Sequence, residues 1–177
     1  VLGIAGCTAL ILTGFGIKDS IEMILTGQYG TLFKYDMSLV IQSDMTDKQI
    51  YELRESLSNI DEINKYEFFS YENGDIKVNN TTKEITIVVP ENLKKMDKFI
   101  HLQDRKTQNP IKLNNKGIVL TEKIARDLGV KAGDEIELIN SDDKKVKIKV
   151  SNITENYISH YVYISPENYT KLFEKDL

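Results

Sequence analysis

A chain of 177 residues, 41% hydrophobic and 28% charged, has the size and balance of one compact domain or two small subdomains, and disorder is excluded. Its 23 lysines and arginines are interspersed with 27 aspartates and glutamates for a net charge of −4, so no basic face stands out and nucleic acid is not an expected partner. The single cysteine, Cys7, permits no disulfide within the chain and leaves the redox compartment undefined.

The first 17 residues, VLGIAGCTALILTGFGI, carry no charge, and their only polar side chains besides Cys7 are Thr8 and Thr13; every charged residue falls after Ile17. A bilayer core of about 30 Å needs about 20 helical residues, and 17 cover roughly 25 Å. Four glycines (Gly3, Gly6, Gly14, Gly16) weaken a helix in water but are common in membrane helices, where small residues such as Ala5 and Ala9 allow close packing. The run reads as the end of a transmembrane helix cut at its start. A buried soluble helix is the alternative, although such a helix usually keeps a polar stripe for solvent. Ile4-Ala5-Gly6-Cys7 also has the form of a lipobox, but the apolar run continues to Phe15, where a lipoprotein would turn polar. A secretory signal lacks its positively charged start.

Beyond Ile17, the residues Ile17, Ile21, Ile24, Leu25 and Gln28 trace one side of a continuing helix, with Lys18, Asp19 and Glu22 mostly elsewhere. Tyr29, Phe33 and Tyr35 suit either the headgroup level of a bilayer or an ordinary core. Tyr35, Met37, Leu39 and Ile41 alternate with Asp36, Ser38 and Gln42, which predicts a strand buried on one face, Val40 excepted. Thr46-Asp47-Lys48-Gln49 fits a capping box ahead of a helix with Ile50, Leu53, Leu57 and Ile60 on one face. Asn64 to Tyr71 predicts a second strand, Asn73-Gly74 a tight hairpin into Ile76 to Val78, Asn79 to Thr82 another turn, and Ile85 to Val89 a strand stopped by Pro90.

Residues 91–115 are less regular, with Leu93, Met96 and Phe99 marking a short helix. The best-specified stretch follows: strand Ile118 to Leu120, a helix capped by Thr121 and stopped by Gly129, a turn at Ala132-Gly133-Asp134, and strand Glu135 to Leu138. After a turn at Asn140 to Asp143, Val146, Ile148 and Val150 alternate with Lys145, Lys147 and Lys149, so glutamates and lysines can face one another on the solvated side. Tyr161 to Ile164 is a strand, and Ser165-Pro166-Glu167 opens a last helix.

No chemistry assembles from these residues. His101 and His160 are the only histidines and have no ligand-spaced neighbours, so neither a metal nor a cofactor is expected. No nucleophile elbow, phosphate loop or dinucleotide fingerprint occurs. Asp142 and Asp143 read as turn formers, and the sequons at Asn80, Asn152 and Asn168 receive no role. A soluble enzyme with an unrecognised site ranks last.

Three stretches, GIAGCTALILTGFGIKDSI, GIVLTEKIARDLGVKAGDEIEL and YVYISPENYTKLF, together resemble the FtsX-like, MacB-type permeases of ATP-binding cassette (ABC) transporters; residues 91–115 match nothing in that pattern. The resemblance implies an α+β, MacB-type extracytoplasmic domain: a porter-like βαβ subdomain (35–90 plus 161–177) with an inserted small α/β lobe (91–160). Residues 1–17 would be the end of a transmembrane helix and 18–34 a juxtamembrane helix or linker, with the domain's last strand and further membrane helices beyond Leu177. It also implies a chain that is not an enzyme and sits at the cell membrane with the domain outside. Its partners would be a cytoplasmic ABC ATPase, a second permease copy or homologue, and membrane lipid. Motion would be transmitted through Phe15, Gly16, Ile17, Lys18, Asp19 and Ser20. A membrane-tethered binding module or lipoprotein is the alternative.

Overall fold

The computed structural model describes residues 2–41 and 45–175. Helix α1 (Leu2–Leu25) runs without a break into a wider π-type turn, Thr26–Leu32. At about 1.5 Å per residue its 24 residues make a rod of roughly 36 Å. Its apolar side chains stand free, Ile4 and Leu10 being three-quarters exposed. The hydroxyls of Thr8 and Thr13 donate back to the carbonyls of Ile4 and Ala9, at 2.9 and 2.8 Å, so the few polar groups of the run satisfy themselves within the helix. Hydrocarbon demands such internal satisfaction, because it offers no partner for a stray donor. Among the described residues this is the one helix long and apolar enough to cross a membrane.

The rest is built on six strands: β1 (Phe69–Val78), β2 (Thr81–Pro90), β3 (Ile118–Thr121), β4 (Glu135–Ile139), β5 (Lys145–Thr154) and β6 (Tyr161–Tyr163). They close into a barrel in the order β1-β2-β6-β3-β5-β4, with β4 returning to β1. The β2–β6 and β3–β5 pairs are parallel and the others antiparallel. Helices α2 (Asp47–Ser58), α3 (Glu122–Leu128) and α4 (Pro166–Phe173) complete the chain.

The barrel wall explains why some strands read as unbroken apolar runs and others as alternating ones. Along β2, Ile87 and Val89 point into the barrel with Leu120 and Val162, while Val88 points outward with Val119 and Tyr163. That outer face is itself covered by Leu32, Phe33, Met96, Ile100, Leu102 and Leu113. A wall buried on both faces needs apolar residues at every position. The β4–β5 hairpin is covered on one side only, so Ile136, Leu138, Ile148 and Val150 face the core, while Glu135 stands opposite Lys149 and Glu137 opposite Lys147.

Local signals hold at the helix ends. Thr46 and Gln49 form the full capping box of α2, whose Ile50, Leu53 and Leu57 are half-buried and none of whose residues is fully buried. Gly129 ends α3 at φ 67°, and Ser165 caps α4 by accepting from the Asn168 amide. Thr121 stands at the start of α3 as expected, but its hydroxyl accepts from the Tyr161 amide instead of capping the helix, tying β3 to β6.

Two expectations are corrected. Residues 35–41 form no strand, and Met37, Leu39 and Val40 are exposed: among the described residues no neighbouring strand lies alongside, so the alternation has no sheet to be buried against. Gln42, at the end of that expected strand, lies outside the described residues. Asn73-Gly74 is not a hairpin turn but the middle of a ten-residue strand, the reversal coming later at Asn79, where φ is 53°. Glycine is needed at 74 for another reason. A Cβ there would land on the Ile139 carbonyl oxygen, where β4 crosses close over β1, and 3.0 Å from Ile87 Cδ1. Residues 35–90 plus 161–177 and residues 91–160 both contribute strands to the sheet. Pairs β1–β4 and β3–β6 join the two segments in one barrel, because the inward faces of both contribute to one core.

The end of α4 is held by a charge cluster. Glu72 on β1 accepts from the Ser141 amide at 3.1 Å, from the hydroxyls of Ser141 and Tyr169, and from Lys175 at 3.3 Å; Lys175 also meets Asp142 at 2.7 Å. Burial disfavours the Glu72 carboxylate, yet the donors from Ser141, Tyr169 and Lys175 together outweigh it and hold the group below its ordinary value. The hydrogen bond to Asp142 is the main cause that raises Lys175 to about 12, and burial is the main cause that raises Tyr169 to about 12. Because the Glu72 pKa is lowered by folding, its stabilisation is present above about 4.5 and is lost as pH falls further. The raised Lys175 and Tyr169 lose theirs as pH climbs from their ordinary values of 10.5 and 10.0 through about 12. Stability against urea is therefore expected to fall at both extremes, and Glu72→Gln to flatten the acid limb; an unchanged acid limb would show that the cluster contributes nothing.

Candidate functional site

The place where the membrane-type helix meets the barrel is the candidate functional site, and three turns of chemistry make it. Gln28 is fully buried, which for a glutamine demands partners, since an unsatisfied buried amide costs about 1–3 kcal/mol. Its Nε2 donates to Asn156 Oδ1 at 3.0 Å, and its Oε1 accepts from the backbone amides of Tyr157 (2.9 Å) and Ile158 (3.3 Å). Asn156 in turn donates to the carbonyls of Ile158 and Ser159 at 2.6 and 3.0 Å, so the β5–β6 loop is folded around the glutamine head.

Four residues on, Leu32 shares the face of Gln28 and enters the outer core with Phe33. The backbone is stitched on as well: the His101 amide donates to the Leu32 carbonyl at 2.7 Å and the Lys34 amide to the Phe99 carbonyl at 2.8 Å. Next to Gln28 in the chain, Gly27 lies against the Tyr157 ring, where any Cβ would fall 2.5 Å from a ring carbon. The helix is thus seated on the barrel by a polar plug, an apolar plug and a flat contact.

The loop that receives Gln28 is braced from behind. Tyr157 donates its hydroxyl to Glu155 at 2.6 Å, and Arg105 stands 4.4 Å from the Tyr157 ring centre, 3.2 Å from Glu155 and 2.5 Å from Glu122 at the start of α3. Burial favours neutral Glu155, but hydrogen bonds from Tyr157 and Gln103 and the nearby Arg105 charge outweigh it and hold the carboxyl below its ordinary range. The hydrogen bond to that carboxylate raises Tyr157. The Glu122 partner raises Arg105, so the cation is permanent.

The expected transmission residues lie elsewhere. Phe15, Gly16, Ile17, Lys18, Asp19 and Ser20 are all exposed in the middle of α1, with Ser20 donating to the Gly16 carbonyl at 2.7 Å and Lys18 3.8 Å from Glu22. The structure brings none of them against the barrel. Of the juxtamembrane aromatics, Phe33 is core, Tyr35 stacks on it at 5.5 Å, and Tyr29 remains half exposed. The sequence did carry one sign of the real contact: Gln28 ends the apolar stripe Ile17, Ile21, Ile24, Leu25, an amide where a hydrophobic residue was due. Nothing in sequence marked Asn156 or Tyr157. His101 meets Asp97 at 2.5 Å, and among the described residues no group of three or more histidine, cysteine or acidic side chains is placed to hold a metal.

The chain thus joins an apolar rod, long enough to cross a membrane, to a mixed six-stranded barrel. The family profile described as MacB-like periplasmic core domain matches residues 1–176, and the chain belongs to that family. It is the extracellular domain of a MacB/FtsX-like ABC transporter permease, held at the cell membrane with the domain on the outer face. Among solved structures it is similar to the extracellular domain of the noncanonic ABC-type transporter YknZ from Gram-positive bacteria, with 15% identity and a TM-score of 0.48 over 82% of this chain and 75% of that one. No curated protein matches. The family is a transporter permease domain and no known class of enzyme, and permeases of this type work with a cytoplasmic ABC ATPase.

Proposed function

We propose that this domain couples ATP hydrolysis by a separate cytoplasmic ATPase to export or extraction of a substrate at the outer membrane surface, by mechanical transmission and without chemistry of its own. The observation that carries the reading is the unbroken helix Gly3–Leu32, exposed along its apolar length and buried only where Gln28 meets the β5–β6 loop and Leu32 the outer face of the barrel. A helix is stiff along its hydrogen-bonded axis, so tilt or rotation imposed in the bilayer reaches its far end. The stretch Phe15 to Ser20, at the edge of the uncharged run, is the lever arm between the two. A second permease copy or homologue and membrane lipid complete the assembly.

Insertion of Gly-Gly-Ser between Lys18 and Asp19 in the permease with its ATPase is the test. Each glycine lowers helix stability by about 1 kcal/mol, so the rod is interrupted while the barrel is untouched. ATP hydrolysis is expected to continue while substrate movement stops. Undiminished substrate movement would instead favour a tethered binding module.

A further inference from the structure

We infer that Gln28, clasped by Asn156 and the Tyr157 and Ile158 amides, is the residue that sets the rotational register of the membrane helix on the barrel and so converts helix rotation into barrel movement. The inference rests on the coupling reading above and assigns the coupling to a definite joint.

A leucine at position 28 would pack into the outer core beside Leu32, but apolar contact is non-directional and tolerates sliding and rotation. An amide head with three partners does not. Its donor and acceptor edges fit Asn156 Oδ1 and two backbone amides in one orientation only, and any rotation strands buried polar groups. The helix geometry is adapted to this seat. From Thr26 to Leu32 the turns widen to the π pattern, with the Phe33 amide donating to the Gln28 carbonyl at 2.7 Å, and this local change occurs at the docking residues. Gly27 removes the one side chain that would hold the Tyr157 ring away. The receiving loop is no loose end, since Tyr157 leads through Glu155 and Arg105 to Glu122 on α3. Rotation of α1 therefore turns a loop that is bolted to two strands and a helix.

The test uses the membrane-embedded permease with its ATPase in liposomes, with Cys7→Ser and spin labels at exposed positions. Ser20→Cys with Lys83→Cys reports helix against barrel, Lys83→Cys with Lys147→Cys reports the barrel itself, and Lys83→Cys against a headgroup label reports barrel movement under Mg-ATP. Gln28→Met keeps the side-chain length and removes all three hydrogen bonds; Gly27→Val forces the Tyr157 ring away by a different route. In both, the helix-to-barrel distance is expected to broaden and the ATP-driven displacement to fall by at least about five-fold, since the loss of even one such hydrogen bond changes the seated population by that factor, with ATP turnover and the barrel-internal distance unchanged. A helix-to-barrel distance as narrow as in the parent, with full displacement, would overturn the joint and leave the coupling reading standing. Absence of any ATP-driven displacement in the parent would bring down the coupling reading and the joint with it.

Discussion

Leu120→Ala is expected to cost about 3–4 kcal/mol, enough to remove much of the roughly 5–15 kcal/mol that holds a domain of this size together. Leu120 has no exposed surface and lies on the shortest fully enclosed strand, paired with Ile153 of β5 on one side and Val162 of β6 on the other. Its side chain points into the barrel among Ile87, Ile118 and Val162, where rigid strands surround the space and cannot collapse into a cavity. Leu39→Ala, the same change at a 61% exposed residue, is expected to stay within about 0.5 kcal/mol. Urea unfolding of both variants checks the pair. Comparable costs at the two positions would mean that the barrel interior is not the dominant core.

The second large effect concerns the membrane. Removal of residues 1–17 is expected to convert a chain that floats with lipid vesicles into one that stays in the aqueous phase. The run contains Val1, Leu2, Ile4, Leu10, Ile11, Leu12, Phe15 and Ile17, and at about 0.3–0.6 kcal/mol each their insertion is worth roughly 2–5 kcal/mol, or about two to three and a half powers of ten in partitioning. High salt should not release the longer chain, because apolar contacts are not screened as charges are. Equal recovery of both chains in the aqueous phase would remove the basis for placing α1 in lipid.

What sequence made legible was whatever is decided within a few residues. The Thr46/Gln49 capping box, the Ser165-Pro166 helix start, the Gly129 stop and the 135–150 hairpin all depend on neighbours in the chain. The unregistered part depends on distant ones. Asn73-Gly74 carries a strong hairpin signal, but what glycine serves there is the approach of the Ile139 carbonyl from another strand, which no local pattern encodes. The alternation of residues 35–41 predicts a strand, yet pattern alone supplies no partner, and no strand forms there. The same holds at the functional site. Gln28 is the one amide on an otherwise apolar stripe, a signal that sequence analysis passed over, whereas Asn156 lies 128 positions away and is an ordinary loop residue until the barrel closes.

Closure of the six strands into a ring has a consequence for life at a crowded membrane surface. An open sheet exposes two whole strands of unpaired amides and carbonyls that another copy can extend, whereas pairing of β4 with Asp75–Lys77 of β1 leaves no whole strand as an edge. Extension of the barrel by a strand from another chain therefore has no whole edge strand to start from.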